Sequence, residues 1–257
     1  MDPVQAILAA VLGVCVGSFL NVCIYRLPRG QSLASPPSRC PSCGRGLRWY
    51  HNIPVVSWLV LRGRCAHCQA PISMQYPIIE LVTALVWVLI VWTTPIGWLL
   101  ASRLVLATAL IVLFMIDLEH QLLPNRITLP GILVGFAFSF VAPPGPFDSL
   151  LGIVLGGGVL YGIAAAYYLV RKEEGMGMGD VKMLAMVGAF LGWKAVLLTL
   201  VLSSFAGAVI GMAMMALHKG NMRYALPFGT FLAVGALIAM IFGERLIAWY
   251  FGFYPTL

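Results

Sequence analysis

Long apolar stretches, separated by short clusters of charged and turn-forming residues, make up most of the chain. They run over Val4–Ile24, Pro77–Trp92, Trp98–Ile116, Ile127–Val141, Leu150–Val170, Met183–Trp193, Ala195–Leu217 and Leu226–Tyr250. Most approach the ~20 residues an α-helix needs to cross a hydrocarbon core about 30 Å thick. None shows the two-residue alternation of a barrel strand, so the backbone must satisfy itself as helices. The pattern predicts an all-α, polytopic membrane protein of about eight transmembrane helices. Met183–Trp193 is the weak member, because so short a run rises only about 16 Å as a helix. It spans only if Lys194 snorkels to the far interface and the bilayer thins locally. The first run has no basic segment ahead of it and is followed by Arg26 and Arg29, so it reads as a span rather than a removed signal peptide.

Composition agrees with this reading. The chain is 61% hydrophobic and 10% charged, against about 25% charged in soluble domains. Its net charge of +7 is concentrated, with seven arginines (Arg26, Arg29, Arg39, Arg45, Arg48, Arg62, Arg64) and no acid between the first two runs. Such a distribution orients a membrane protein and meets anionic headgroups; it does not indicate a nucleic-acid surface. Placing this interval in the cytoplasm puts residues 26–76, 117–126, 171–182 and 218–225 on that side. Those loops carry 13 of the 16 lysines and arginines, as the positive-inside rule requires. Both termini then lie outside. The expected organisation is a first span over residues 1–25, a cytoplasmic loop domain over 26–76 and a larger membrane domain over 77–257.

The loop domain is rich in proline and glycine and too poor in apolar residues to build a core, so it needs a staple. Cys40-Pro-Ser-Cys43 and Cys65-Ala-His-Cys68 supply one. Two CxxC turns can place four thiolates around a tetrahedral Zn²⁺, and a reducing cytosol disfavours disulfides. Four cysteine ligands leave no open position, so this metal is structural. His51 and His67 could replace a cysteine but read as loop polar residues, and Cys15 and Cys23 as small buried hydrophobes.

Candidate chemistry lies elsewhere. Asp117 follows an apolar run directly, and Asp180 ends Gly175-Met176-Gly177-Met178-Gly179-Asp180 just before another. Ionisable groups at the edge of an apolar bundle are costly, and so carry a functional hypothesis. With two spans between them, both aspartates fall on one membrane face. Paired carboxylates share a proton, so one can act as base on a water while the other polarises a carbonyl. Gly177 and Gly179 would let the backbone pass close to an extended substrate or take a positive φ. Glu119, Glu173 and Glu174 are rival acids, and read as solvated loop groups. Gly13 and Gly17 form a close-packing helix face that Asn21 continues, and Glu80 reads as a buried polar partner. The bland alternative makes Asp117 an interfacial helix-end group and Asp180 an N-cap.

Taken in order, these motifs resemble the type IV prepilin peptidases, membrane aspartyl proteases with a Gly-x-Gly-Asp motif. The likeness rests on Gly17-Ser18-Phe19-Leu20-Asn21-Val22 with Arg26-Leu27-Pro28, the two CxxC pairs, and Tyr76-Pro77 with Glu80-Leu81. It continues through Asp117 with Leu123-Pro124, Met176 to Lys182, and Pro227-Phe228-Gly229-Thr230-Phe231-Leu232. The family more often carries proline where Thr230 stands, a departure expected not to touch the chemistry. The resemblance implies that Asp117 and Asp180 are the catalytic pair. It implies as substrates the precursors of type IV pilins or of type II secretion pseudopilins, cut after a glycine on the cytoplasmic side of the bacterial inner membrane. It also implies N-methylation of the new N-terminus with S-adenosylmethionine, although no Gly-rich fingerprint reveals where a methyl donor binds. Two rivals use the same residues: a proton-coupled transporter relaying through Asp117 and Asp180, and a zinc-bearing scaffold without catalysis. A signal-peptide-peptidase type of protease would lack the cysteine loop and place tyrosine where Ile116 stands.

Overall fold

A computed structural model of the chain describes residues 2–173, 177–217 and 227–252. Among these residues the secondary structure is helical apart from two isolated β-bridges. The chain divides into two compact units, Met1–Ile96 and Gly97–Leu257.

In the first unit, α1 (Pro3–Arg26) packs on α3 (Gln75–Thr93). Asp2 caps α1 by accepting the Val4 N–H at 3.0 Å, which satisfies one orphan donor of the first turn. The expected small-residue face is present. A Cβ on Gly13 would stand 2.6 Å from Ala84 Cα, and one on Gly17 would stand 2.7 Å from Glu80 Cα. Only hydrogen at both positions lets the two backbones approach this closely. Asn21 extends the contact by donating from Nδ2 to the Tyr76 carbonyl at 3.1 Å.

Glu80 is the buried polar partner expected of it. Its Oε2 accepts the Val55 N–H at 2.7 Å, and Val55 sits at φ +61°. A β-branched residue rarely adopts that conformation and does so only where its surroundings hold it. Glu80 thus ties the loop to α3 just ahead of the single-turn helix α2 (Val56–Val60).

The second unit holds α4 (Trp98–His120), α5 (Asn125–Phe138), α6 (Pro146–Arg171), α7 (Met178–Leu217) and α8 (Phe228–Gly252). Its tightest contact joins α6 to the first arm of α7. A Cβ on Gly156 would stand 2.6 Å from the Leu184 carbonyl oxygen, and one on Gly152 2.5 Å from that of Gly188. Ser149 Oγ donates to the Ala189 carbonyl at 2.7 Å in the same seam. The apolar pattern alone did not reveal this glycine seam.

Helix α7 is interrupted at Gly192, which has φ +78°. A straight helix would carry Gly207 about 42 Å from Gly179. Instead a Cβ on Gly207 would lie 3.8 Å from the Phe231 ring, while Gly179 and Gly229 both pack on Leu123. Two contacts so near the start of α8 require α7 to fold back on itself. Glycine permits the reversal, since a side chain there would be strained by φ and would meet Pro144 Cβ at 3.0 Å. The short run Met183–Trp193 is therefore part of a longer arm that starts at Met178. The sequence reading placed its edge after Lys182, because polar residues open the helix.

Among the described residues, six helices are long and apolar enough to cross a membrane, counting α7 as one: α1, α3, α4, α6, α7 and α8. The helix α5 is shorter, at 14 residues. Large apolar side chains such as Ile7, Leu8, Val11, Leu133, Leu150, Val154, Val201 and Phe205 face outward. The protein is an integral membrane protein, whose outer surface is solvated by lipid.

Candidate active site

The second unit brings Asp117 and Asp180 to one place. Asp117 stands in the last turn of α4, not in the loop after it, and Asp180 in the first turn of α7. They are 5% and 8% exposed, and close enough for their carboxylates to repel. Asp180 follows the start of its helix, so it is not the N-cap; its N–H donates to the Gly177 carbonyl at 3.1 Å.

A third element completes the site. The N–H of Thr230, in the first turn of α8, donates to Asp117 Oδ2 at 2.7 Å. Asp117 thereby caps another helix across space, where the aligned amides of α8 favour negative charge. A proline there would have no N–H to give, so the residue at position 230 bears on how Asp117 is held, a link the sequence reading did not anticipate. Gly229 lies beside it, where a Cβ would stand 2.8 Å from Asp117 Oδ2 and 3.0 Å from Leu123 Cδ1. Leu123 is the wedge of the site, filling the space that a side chain on Gly179 would need, at 2.8 Å. Lys182 Nζ donates to Asn125 Oδ1 at 2.9 Å and ties the start of α7 to the start of α5.

The two glycines therefore differ. Gly179 lies within α7 against Leu123, whereas Gly177 is exposed and its missing Cβ would be 3.7 Å from Asp180 Oδ2. Of the rival acids, Glu119 and Glu173 are exposed, and Glu119 lies 3.9 Å from His120 Nε2. Glu174 lies outside the described residues. Gly229 and Thr230 were quoted for the resemblance but given no role. Their signal is the Pro-Phe-Gly-Thr string directly ahead of an apolar run, the pattern of a helix start.

Gly229→Ala tests this geometry. The new methyl displaces the Asp117 carboxylate; for a catalytic carboxylate, a displacement near 1 Å costs about 10²-fold in rate. Gly158→Ala, where a Cβ meets nothing within 4 Å, keeps normal turnover. Equal activities in the two variants would show that the contact at Gly229 does not position Asp117.

The four cysteines also converge, within the first unit. Their sulfurs all lie within 4.8 Å of one another, and none forms a disulfide. The Cys40–Cys68 separation is 3.8 Å, the edge expected of a tetrahedron with Zn–S arms of ~2.3 Å. Each CxxC turn is closed in the same way. Cys40 N–H donates to the Arg45 carbonyl and Cys65 N–H to the Ala70 carbonyl, both at 2.9 Å. Gly44 and Gln69, directly after each turn, both have positive φ. The N–H groups of Cys68 and His67 bring the Cys65 thiol down to about 6. Cys68 is pushed up to about 11: the Ala70 N–H favours its thiolate, but burial and the neighbouring sulfurs outweigh it. Four thiols this close together suit a cation able to displace their protons. His67 contributes its backbone N–H to Cys65 Sγ at 3.5 Å, and the four sulfurs complete the cluster without either histidine.

Comparison with known proteins points the same way. The Bacterial Peptidase A24 N-terminal domain matches residues 11–94, and the Type IV leader peptidase family matches residues 104–212. A prepilin leader peptidase/N-methyltransferase of Stutzerimonas stutzeri is 38% identical, covering 98% of this chain and 96% of its own. Its namesake in Pseudomonas aeruginosa is 36% identical over 98% of this chain and 95% of its own. That of Myxococcus xanthus is 44% identical over 83% of this chain and 64% of its own. No solved structure matches.

Proposed function

We propose that this chain, which belongs to the type IV leader peptidase family, removes the leader from prepilins or pseudopilins with Asp117 and Asp180 as its catalytic pair. The observation that carries the proposal is the meeting of two buried carboxylates at the ends of α4 and α7, under the first turn of α8. Two such groups share one proton. One carboxylate takes a proton from the attacking water while the other donates to the peptide carbonyl, and the roles exchange as the leaving amine departs. Each transfer supplies about 10²–10⁴-fold. Thr230 holds Asp117 in place, Leu123 packs against Gly179 and Gly229, and exposed Gly177 leaves room for an extended substrate beside Asp180. Incubating the purified protein with a prepilin tests the reading, since release of the leader is expected. A prepilin left intact by well-folded protein would contradict it.

The relatives' names include a methyltransferase, and the same second activity is assigned here: methylation of the new N-terminal amine, with S-adenosylmethionine supplying the methyl group. Zinc on Cys40, Cys43, Cys65 and Cys68 orders the loop that separates α1 from α3. A proton-coupled transporter finds no support. Its relay would place acids near the midplane of the bilayer, whereas both aspartates stand in terminal turns.

The active site faces the cytoplasm of the bacterial inner membrane, because the arginine-rich loop favours that side. A membrane-impermeant thiol label in intact cells should miss a cysteine placed at Gly46 and reach one placed at Gly145. The reverse pattern would invert the orientation.

A further inference from the structure

We propose that residues 49–60 of the cysteine loop lie in the membrane interface beside α3, with Val56, Leu59 and Val60 among the acyl chains of anionic lipids. The depth of this limb follows from its tether. Val55 donates its N–H to Glu80 Oε2 at 2.7 Å, and Glu80 stands five residues after Gln75, the first of α3, a rise of about 7.5 Å. An extended glutamate and its hydrogen bond together cover only about that rise, so Val55 lies no higher than the level at which α3 begins. That level is the edge of the hydrocarbon. The 19 residues of α3 rise about 28 Å, against a core of about 30 Å. Glu80 is also set well inside the end of α1. A Cβ on Gly17 would stand 2.7 Å from its Cα, and Gly17 is about 14 Å along the helix from Arg26.

From that depth α2 turns its apolar residues outward. Trp58 faces inward: its Nε1 donates to the Ile72 carbonyl at 3.2 Å, and its ring fills the space that a side chain on Gly63 would need. Val56, Leu59 and Val60, spaced i, i+3 and i+4, share the opposite face. All three are exposed, Val60 at 75%. Trp49, at the other end of the limb, is 81% exposed. Acyl chains take this surface out of water, and tryptophan suits the boundary between headgroups and hydrocarbon.

Charge identifies the lipid. Arg45 and Arg48 precede Trp49 in the chain, Arg62 and Arg64 follow Val60, and all four are exposed. No acid occurs between residues 26 and 76. An apolar face bracketed by cations fits an anionic membrane surface: the side chains enter the leaflet while the guanidinium groups stay at headgroup level. A soluble acidic partner would also suit the arginines, but it would have to displace lipid to reach the level of Val55. The Glu80 tether makes the contact permanent, since the limb is held at the leaflet whether or not its apolar face is covered.

Site-specific photo-cross-linking tests this placement, with a benzophenone amino acid in the full-length protein and nanodiscs of phosphatidylcholine and phosphatidylglycerol. Probes at Leu59 and Val60 should capture lipid as well as one at Leu81, an exposed residue next to Glu80 on α3. A probe at Gly46, where a Cβ meets nothing within 4 Å, should capture little. With the probe at Val56, Leu59→Asp together with Val60→Asp should cut lipid capture at least about tenfold, because charged groups replace two apolar side chains in the leaflet. Phosphatidylglycerol should exceed its share of the disc about fivefold among the captured lipid. Adding prepilin should leave these yields unchanged. Capture at Leu59 and Val60 no greater than at Gly46, or capture of a second copy or of prepilin in place of lipid, would overturn the placement. Phosphatidylglycerol captured only in proportion to its share would overturn the anionic partner.

Discussion

Asp117→Asn and Asp180→Asn are each expected to abolish leader removal, with a loss of at least about 10³-fold in turnover. An amide can neither take a proton from water nor pass one to the leaving amine, so either change breaks the shared arrangement. Loss of the two roles is not additive, and the double variant should fall no further than the weaker single one. Insertion and folding survive, because each substitution removes a buried charge from a membrane edge, where it is costly. Asp117→Asn still presents an oxygen to the Thr230 N–H, so the start of α8 keeps its cap. Glu119→Gln, on an exposed acid, leaves turnover close to normal. Near-normal cleavage by either aspartate variant, measured as processed prepilin per unit time, would remove the assignment. An equal loss at Glu119 would show that the working acid is a different one.

The second large effect concerns the cysteine loop. A Cys40→Ser, Cys43→Ser double variant should contain no zinc and transfer few methyl groups, while keeping substantial cleavage. Structural zinc sites couple metal binding to folding, so losing two of four ligands releases both closed turns. The aspartate pair instead belongs to the second unit, whose helices have their own packing. Metal content, methyl incorporation and leader removal, measured on one preparation, separate the three links. Wild-type protein without zinc would remove the structural claim. A well-folded double variant that no longer cleaves would make the loop part of the protease.

Much of this arrangement was legible in the sequence, for identifiable reasons. Helices in lipid announce themselves by apolar length, and an aspartate at the end of such a run is conspicuous because it is costly. Gly13 and Gly17, four residues apart, pointed to the close α1–α3 contact. The CxxC spacing pointed to the sulfur cluster. Other features depend on partners distant in the chain. The reversal at Gly192 follows from φ and from Pro144, and Gly192 stands in an apolar run with no turn cluster around it. The bond from Thr230 to Asp117 joins residues 113 positions apart, and a backbone donor leaves no mark in a side-chain pattern. The strained Val55 held by Glu80 escaped for the same reason. Gly179 was read as a close approach for an extended substrate or a positive φ, and the structure sets Leu123 against its open side.

The most direct test of the central claim compares wild type with the Asp117→Asn, Asp180→Asn double variant in one assay, on a single prepilin in detergent micelles. Mass spectrometry follows the released leader and the new N-terminus. The wild type should convert the precursor by one cut after the leader's glycine. The double variant, inserted and folded to the same extent, should leave it intact over the same interval. Equal conversion by both proteins would show that cleavage does not depend on the two aspartates.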